Sequence, residues 1–402
     1  MRRRALIAGV LAAAATVAGG SPAAAAPDCP SPPKARTVLQ VSDILEAVLM
    51  DDRGRLFYSD QSAGALMRLD RAGAEPRRLA DISGPGGIVD DRHGKLLVGY
   101  GDAGANGTTG DANPMSGVYR VGRENGAKSV VTDGFGMANG IALGPDGAIY
   151  GTNDFGTYVD RFKDGHVDHP WATVTSTNGI VVTPDNRYVL VAQTFQPAAI
   201  QRISVADPTK VSPYAVASGA DMFAGLDEMS QDARGNLYVA GNGSGEVWRI
   251  DTAGRICTLA TGIMNASDAA LGTAAFARNV YVTSFGGKIV ELAGAVPPGP
   301  GGRGAPVRSL LPAGGTAVGA IRYRRGTHGR AGRVRHSGVV ALRRGRALVA
   351  RQRVRAGRRY RFRAPPGRYR LSARSHGTRC RSRRVRLRAG RRTRADLVCT
   401  VR

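Results

Sequence analysis

Short apolar runs alternate with polar turns along most of the chain, and they recur at a regular interval. Between residues 38 and 295, an anchor residue is followed eight positions later by Gly or Asn, and then by a short β-rich run. In the first copy Glu46 leads to Gly54 and to Leu56-Phe57-Tyr58. Turn motifs such as Pro145-Asp146-Gly147 place residues that tolerate positive φ where a hairpin reverses. The pattern predicts consecutive antiparallel strands without long helices.

The repeat occurs six times, which sets the predicted architecture. The anchors are Glu46, Gly86, Asn139, Asn178, Asp227 and, in a looser copy, Asp268. Their spacings average about 44 residues, the length of one four-stranded propeller blade. The sequence therefore predicts an all-β fold with a six-bladed β-propeller over residues 38–293.

A different pattern follows the propeller. Residues 294–316 are rich in Pro and Gly and are interpreted as a linker. Beyond them arginine and apolar residues alternate with period two, as in Arg384-Val385-Arg386-Leu387. This alternation is typical of antiparallel strands with one buried and one solvated face. Residues 317–402 are predicted to form a small Arg-rich antiparallel β-sandwich.

The first residues have the character of a targeting segment. Arg2-Arg3-Arg4 precede an apolar run over 5–18, and small residues continue to Ala26. This order predicts a secretory signal peptide over 1–26, followed by an N-terminal segment over 27–37, and hence a secreted, extracellular protein. No later stretch approaches the ~18 consecutive apolar residues that a membrane span needs.

Export would allow the four cysteines to form disulfides. Cys380 and Cys399 lie in neighbouring strand-like segments and are predicted to pair. Cys29 and Cys257 are then the other candidate pair, although connectivity cannot be read from sequence alone.

Charge is divided very unevenly along the chain. The formal net charge is +26, yet residues 301–402 hold 31 Arg and a single acid, Asp396, while residues 1–300 carry a net charge of −4. One interpretation is that the basic region binds an anionic cell-wall polymer or extracellular nucleic acid through counterion release. The other is a solvated face in a chain that uses Arg far more often than Lys. Few aromatic residues interleave the arginines, which argues against a stacking platform for single strands.

The propeller anchors suggest chemistry at the central channel. The innermost strand of each blade lines this channel, so residues at equivalent positions converge on the axis. Glu46, Asn139, Asn178 and Asp227 would bring carboxylate and amide oxygens together. Such a set suits a hard divalent cation, and Ca²⁺ is favoured because it tolerates irregular all-oxygen sites. Polar anchors that only cap hairpin turns or bind channel water are the alternative, and the residues alone leave both open.

Several segments resemble one propeller family, in order along residues 38–293. Ile44-Leu45-Glu46-Ala47-Val48 resembles the opening blade of the SMP-30/gluconolactonase/LRE-like propellers. Asn178-Gly179-Ile180 is similar to the Asn-Gly blade of that family, and Leu226-Asp227-Glu228-Met229 to its Pro-Asp-Gly blade. The resemblance implies that Glu46, Asn178 and Asp227 are the metal ligands and that Asn139 binds the substrate.

Members of this family with known activity are mostly lactonases. The resemblance therefore favours a Ca²⁺-dependent, or other divalent-metal-dependent, hydrolase of lactones or related cyclic esters. The metal would polarise the carbonyl, and Asp227 would be the catalytic base that activates water. The alternative is a non-catalytic extracellular binding module whose metal is structural or absent. A lyase or synthase acting on a larger natural product shares the fold and is a third hypothesis.

Three departures from the family pattern bear on the substrate. Met137 occupies the position of an Arg, Gly140 replaces an Asp, and Glu228 replaces a Gly and adds a carboxylate near the cation. Without the Arg, a fixed positive donor for a sugar acid is missing. An apolar lactone or ester is then as good a candidate as an aldonolactone, and the binding-module alternative gains support. The sequence says nothing about the oligomeric state.

Two local motifs are interpreted as structural. Residues 99–104 match G-x-G-x-x-G, but the sequence after them predicts another loop instead of a helix, which argues against dinucleotide binding. His166 and His169 lie in a stretch interpreted as a solvated, turn-rich loop and not as a zinc site.

Overall fold

The computed structural model describes residues 26–195, 197–298, 307–310, 315–325, 337–356, 358–375, 378–388 and 391–401. All of the predicted signal peptide except Ala26 lies outside these ranges. Among the described residues, none of the helices has both the length and the apolar character of a membrane span.

Twenty-four strands build the first and larger part of the structure. In chain order they are β1 (Lys34–Gln40), β2 (Leu45–Met50), β3 (Leu56–Asp60), β4 (Ala65–Leu69), β5 (Arg77–Asp81), β6 (Ile88–Asp90), β7 (Lys95–Tyr100), β8 (Ser116–Gly122), β9 (Lys128–Phe135), β10 (Ile141–Leu143), β11 (Ile149–Thr152), β12 (Tyr158–Lys163), β13 (His166–Thr173), β14 (Thr177–Val182), β15 (Tyr188–Gln193), β16 (Ala199–Ser204), β17 (Val211–Val216), β18 (Leu226–Gln231), β19 (Leu237–Gly241), β20 (Glu246–Ile250), β21 (Ile256–Ala260), β22 (Ala266–Leu271), β23 (Asn279–Ser284) and β24 (Lys288–Ala293).

These strands form six four-stranded antiparallel sheets arranged in a ring. Five sheets are consecutive, namely β2 to β5, β6 to β9, β10 to β13, β14 to β17 and β18 to β21, and the sixth has the order β22-β23-β24-β1. The inner strands β2, β6, β10, β14, β18 and β22 contact one another in turn, and β22 contacts β2. The predicted six-bladed β-propeller is confirmed.

The N-terminal strand completes the last blade. β1 pairs antiparallel with β24, and it begins at Lys34, inside the stretch predicted as an N-terminal segment. The residues before it are attached to the fifth blade, because Cys29 forms a disulfide with Cys257 and its amide donates to Thr258 O at 2.8 Å. The lower-ranked of the two predicted disulfides is therefore present.

Two short segments differ from the sequence predictions. Residues Gly104–Thr109 form a helix, α1, where the sequence predicted a loop. Strand β13 contains both His166 and His169, which the sequence placed in a turn-rich loop. His169 is mostly buried, and its Nδ1 lies 2.6 Å from Asp160 Oδ1. Short 3-10 helices occupy Gly219–Phe223 and Ala274–Phe276.

The C-terminal region contains ten further strands in two sheets. They are β25 (Gly315–Gly319), β26 (Ile321–Arg325), β27 (Gly338–Arg344), β28 (Ala347–Val354), β29 (Tyr360–Ala364), β30 (Gly367–Ser375), β31 (Thr378–Cys380), β32 (Arg383–Leu387), β33 (Arg392–Arg394) and β34 (Leu397–Val401). One sheet has the order β29-β25-β33, and the other has β26-β34-β31-β30-β27-β28 with β32 paired to β30. Both sheets contribute to one hydrophobic core, which includes Ala317, Tyr360, Leu342 and Leu371.

Two pairings in this region are parallel, β25 with β33 and β26 with β34. The alternation in the sequence reports which face of a strand is buried but not the direction of its neighbour, so the all-antiparallel expectation does not hold for these pairs. The disulfide between Cys380 and Cys399 links β31 to β34 and confirms the predicted pairing.

Candidate functional site

The first residues of three inner strands are aimed at the axis by irregularities in the sheets. The pairing register shifts between Leu45 and Val48 in β2, between Thr177 and Ile180 in β14, and between Leu226 and Met229 in β18. Such β-bulges re-aim side chains and are frequent next to active sites. They contain the three predicted metal ligands, Glu46, Asn178 and Asp227, which are 3%, 3% and 4% exposed.

Both predicted asparagines are oriented in the same way. The Asn139 amide donates to Asp102 Oδ1 at 3.3 Å, and the Asn178 side chain donates to Asp227. In each case the NH₂ group is held by a carboxylate, which leaves the amide oxygen free to accept. Neither Asn139 Oδ1 nor Asn178 Oδ1 has a hydrogen-bond partner among the described residues, and both atoms are buried.

Three further oxygens near the axis share this property. Glu46 Oε1, Glu228 Oε1 and Asp154 Oδ1 are buried and accept no hydrogen bond from the part of the chain that the structure describes. Buried oxygen atoms without a donor are costly unless a cation or water satisfies them. Within the described ranges, no three His, Cys, Asp or Glu side chains are arranged to hold a metal by themselves. A cation here would need the amide oxygens as well, and an all-oxygen set of this mixed kind fits Ca²⁺.

Six carboxyl groups influence one another around the axis: Glu46, Asp102, Asp154, Asp227, Glu228 and Asp268. None of them forms an ion pair with a Lys, Arg or His of the described residues. Burial, and then the charge of the neighbouring carboxylates, raises the pKa of Glu46, Asp227 and Glu228 well above the ordinary value. Burial is also the main reason why the pKa of Asp102 rises to about 7 and that of Asp154 to about 6.

Sequence analysis missed Asp102, Asp154 and Asn242. Asp102 holds Asn139, and Asn242 donates to Asp227 Oδ2 at 3.0 Å. All three follow the second strand of a blade, which runs antiparallel to the inner strand and returns to the end where that strand begins. A search for polar residues after each second strand would have found them.

A cavity of about 450 Å³ lies along the channel on the other side of these groups. Its wall consists largely of aliphatic residues from the inner strands, such as Val48, Ile88 and Ile180, while Glu228 and Asp268 contribute carboxylates. Asp268 Oδ2 accepts from the Val48 amide at 2.8 Å. The carboxylate that departs from the family pattern, Glu228, therefore borders both the predicted metal ligands and this cavity.

The match to a known family model lies in the second half of the propeller. The SMP-30/Gluconolactonase/LRE-like region matches residues 151–286. Residues 151–286 are similar to that family and are called the SMP-30-like region from here on. The SMP-30-like region contains Asn178 and Asp227, whereas Glu46 and Asn139 lie before it in the ring. No functionally curated protein matches the chain.

Solved structures agree with the SMP-30-like assignment at the level of the fold. A gluconolactonase from Xanthomonas campestris is 17% identical with a TM-score of 0.52, and the match covers 68% of this chain and 98% of that one. Regucalcin, a calcium-binding protein from Agrobacterium tumefaciens, is 18% identical with a TM-score of 0.52, covering 65% and 94%. An auxiliary nutrient binding protein from Bacteroides ovatus is 13% identical with a TM-score of 0.51, covering 65% and 73%. These neighbours are an enzyme, a calcium-binding protein and a nutrient binding protein, so they establish the fold alone.

A second charged surface lies outside the SMP-30-like region, on the larger C-terminal sheet. Antiparallel register places Arg343 directly opposite Arg370, and Arg370 directly opposite Arg384. Arg368 and Arg386 form the next pair on the same face. All five are exposed, and within the described residues none forms an ion pair. The only acid of residues 301–402, Asp396, instead accepts from Arg322 Nε at 2.8 Å.

Proposed function

We propose that this protein is a secreted, divalent-metal-dependent hydrolase of lactones or related cyclic esters, with Ca²⁺ as the preferred metal. The observation that carries the proposal is the orientation of Asn139 and Asn178, whose NH₂ groups are bound to carboxylates and whose buried oxygens have no hydrogen-bond partner in the described part of the chain. The SMP-30-like region supports a lactone substrate. The basic and apolar N-terminal sequence supports secretion.

Glu46, Asn178 and Asp227 would hold the metal, with Asn139 beside them. A bound divalent cation supplies a Lewis acid for an ester carbonyl and stabilises negative charge that develops on its oxygen. It would also offset part of the negative charge of the six axial carboxyl groups, which form no ion pair with a Lys, Arg or His of the described residues.

Asp227 is the group best placed to take a proton from water. Two amides, those of Asn178 and Asn242, donate to its carboxylate and fix its orientation. Its raised pKa brings its basicity closer to neutral pH, where a general base is more effective. Asn139 is held by Asp102 and presents an oxygen acceptor, which suits a positioning contact to a hydroxyl of the substrate or to the attacking water.

A non-catalytic binding module is the second candidate, and one observation favours it. Met137, at the position of the family's Arg, is buried. A Cβ atom at Gly107 of α1 would lie 3.2 Å from its Sδ, so the Met137 side chain packs under that helix. Neither Met137 nor Gly140 can donate a hydrogen bond from its side chain to a substrate, so ligand contacts at this side of the site would be apolar.

Hydrolysis of a lactone panel by the full chain, with Ca²⁺ and with chelator, tests the proposal. Asp227→Asn should lower kcat by about 10²-fold or more, the usual contribution of a general base. Glu46→Gln should abolish the rise in Tm that Ca²⁺ produces, because it removes a ligand. Asp91→Asn is the matched control, since Asp91 is equally buried but bonds backbone amides in a turn of the second blade. If the wild-type chain binds Ca²⁺ but hydrolyses no lactone, the binding-module candidate replaces the hydrolase.

We also propose that the arginine face of the C-terminal region, formed by Arg343, Arg368, Arg370, Arg384 and Arg386, binds a linear phosphate polymer. Like charges placed directly opposite each other across strands repel, and the described residues supply no carboxylate to relieve them. Guanidinium groups match phosphate oxygens in bidentate geometry. The one aromatic residue of the three strands that carry these arginines, Tyr369 on β30, is buried. Recognition would therefore depend on backbone charge and not on stacking with bases.

A further inference from the structure

The exposed phenylalanine and methionine side chains of the propeller all lie at one end of it. Among the described residues they are Met115, Phe155, Phe195, Phe223, Met264 and Phe285. Each lies in a connection that follows the second strand of a blade or precedes the inner strand of the next. These connections surround the end of the channel where Glu46, Asn178 and Asp227 are located. Exposed apolar side chains that are concentrated at one end of a molecule are typical of a binding surface.

Two of the phenylalanines belong to neighbouring blades and approach each other. Phe155 and Phe195 have their ring centroids 6.0 Å apart, and each is 52% exposed. Phe155 directly follows Asp154, whose buried carboxyl group influences Glu46 and Asp227. The aromatic pair is thus adjacent in the chain to one of the axial carboxyl groups.

A cavity lies beside Phe195, and one of its lining residues is close in sequence to the proposed base. Phe195, Met222, Phe223, Thr194 and Gly225 line a space of about 400 Å³. Gly225 lies two residues before Asp227, and its carbonyl accepts from the Asn242 amide nitrogen of the backbone at 2.8 Å. Gly225 therefore lines the cavity and is also bound to the backbone of Asn242, whose side chain donates to Asp227 in the proposed site.

The chemistry of this lining excludes a strongly polar ligand. Phe195, Met222 and Phe223 offer only apolar side-chain surface, and Thr194 contributes one hydroxyl group. No charged residue lines the described part of the cavity. A polyhydroxylated ring placed here would lose hydrogen bonds to water without replacement, which is costly. An alkyl chain or an aromatic ring would gain from burial.

We infer that the cavity formed by Thr194, Phe195, Met222, Phe223 and Gly225 binds the hydrophobic substituent of the substrate. The preferred substrates are then lactones with an alkyl or aromatic side chain, and not sugar lactones. This inference rests on the proposed hydrolase function and deepens it. It adds two specificity-determining residues, Phe195 and Phe223, to the groups at the axis.

A series of γ-lactones that differ only in the length of the alkyl substituent tests the inference. With the full chain and Ca²⁺, kcat/KM should rise by up to about fourfold for each methylene that enters the cavity, as expected for the burial of one CH₂ group. The rise should end once the cavity is full. A sugar lactone of similar ring chemistry should be a poorer substrate than the longest alkyl lactones.

The double variant Phe195→Ala/Phe223→Ala should flatten this dependence of kcat/KM on chain length. Val211→Ala/Val216→Ala is the matched control, because both valines are exposed on β17 and neither lines the cavity. Wild-type hydrolysis that is independent of chain length would overturn the inference while the hydrolase function stands.

Binding of non-hydrolysable alkyl γ-lactams, measured by calorimetry, keeps the test independent of catalysis. If no lactone is hydrolysed but lactam affinity increases with chain length and is lost in Phe195→Ala/Phe223→Ala, the cavity assignment holds and the hydrolase function fails. If affinity does not depend on chain length, the cavity assignment is wrong.

Discussion

Among the individual residues of this protein, the buried carboxyl groups at the axis have the most unusual environment. Glu46, Asp227 and Glu228 each have a pKa that is raised by burial first and by neighbouring carboxylates second. In the folded chain each of these groups favours its neutral form, whereas in the unfolded chain it would ionise near pH 4. The folded state therefore binds protons more tightly than the unfolded state.

This difference predicts how the stability of the metal-free chain depends on pH. A carboxyl group with a raised folded pKa stabilises the folded state fully below its unfolded pKa, and that contribution is lost as the pH rises through the folded value. The folded pKa is about 7 for Asp102 and Asp268 and about 6 for Asp154. We expect the Tm of the chelated protein to fall between pH 4 and pH 8, and Ca²⁺ to restore it far more at pH 8 than at pH 5.

Asp102→Asn is the informative variant for this measurement. It removes one of the carboxyl groups and keeps its shape, so the decline in Tm with pH should become shallower. A metal-free chain whose Tm rises over the same interval would contradict the assignment of uncompensated charge to the axis.

Residue roles at the axis were only partly predictable from sequence. Glu46, Asn139, Asn178 and Asp227 could be found because they recur at one position of a repeat. Asp102 and Asp154 were missed, although they lie 16 and 15 residues after the anchors Gly86 and Asn139, because the repeat was followed through its anchors and turns and not through the residues after each second strand. The free amide oxygens were also unpredictable, since they depend on which carboxylate each NH₂ group meets.

At the scale of elements, the anchor of the second blade shows what the inner strands require. Gly86 occupies the position that holds Glu46 in the first blade, and a Cβ atom there would lie 2.1 Å from Ala138 O of the third blade. The backbones of neighbouring blades approach too closely at this point for any side chain. The absence of a polar anchor in this blade is thus a packing requirement.

Gly86→Ala should therefore destabilise the propeller, by about 1–3 kcal/mol as for other overpacked sites. Chemical denaturation monitored by fluorescence measures the change. Gly104→Ala in α1 is the control, because a Cβ atom there has no neighbour within 4 Å and alanine favours the helix. Equal stability of the two variants would show that the neighbouring blades can move apart at Gly86 without lowering the free energy of unfolding.

The elements themselves differed in how well the sequence predicted them. Blade strands follow from short apolar runs between turn residues, and this signal is local. The helix α1 was missed because Gly104 and Gly107 have low helix propensity and a six-residue helix shows little periodicity. The parallel pairs β25–β33 and β26–β34 were missed because strand direction is set by tertiary contacts.

At the scale of the whole molecule, opposite charge regimes coexist in one chain. Residues 1–300 carry a net charge of −4 and residues 301–402 a net charge of +30. A phosphate polymer should bind the second region by releasing counterions, so its affinity should fall steeply with salt. Lactone hydrolysis at the propeller should depend on salt much less.

Replacing arginines on the two C-terminal sheets separates a specific face from net charge. Arg370→Gln/Arg384→Gln should weaken binding of inorganic polyphosphate and lower the slope of log K against log salt by about 2, one for each lost contact. Arg361→Gln/Arg363→Gln removes the same charge from exposed positions on β29, in the other sheet. Its effect should be much smaller.

Equal losses of polyphosphate affinity in both double variants would show that the polymer is bound by general electrostatic attraction and not by the arginine face. A duplex DNA that binds more tightly than polyphosphate of the same charge would replace the proposed partner with nucleic acid.

The placement of β1 has a consequence for the order of folding. The strand that is synthesised first in the propeller has no partner until β24, the last one, has been made, and the disulfide near it joins residues 228 positions apart. The ring therefore cannot close while the chain is still emerging, and five complete blades must wait with an open edge. Closure is a late, long-range step in which β1 pairs with β24. Until then the incomplete ring exposes unpaired strand edges and is most prone to aggregation.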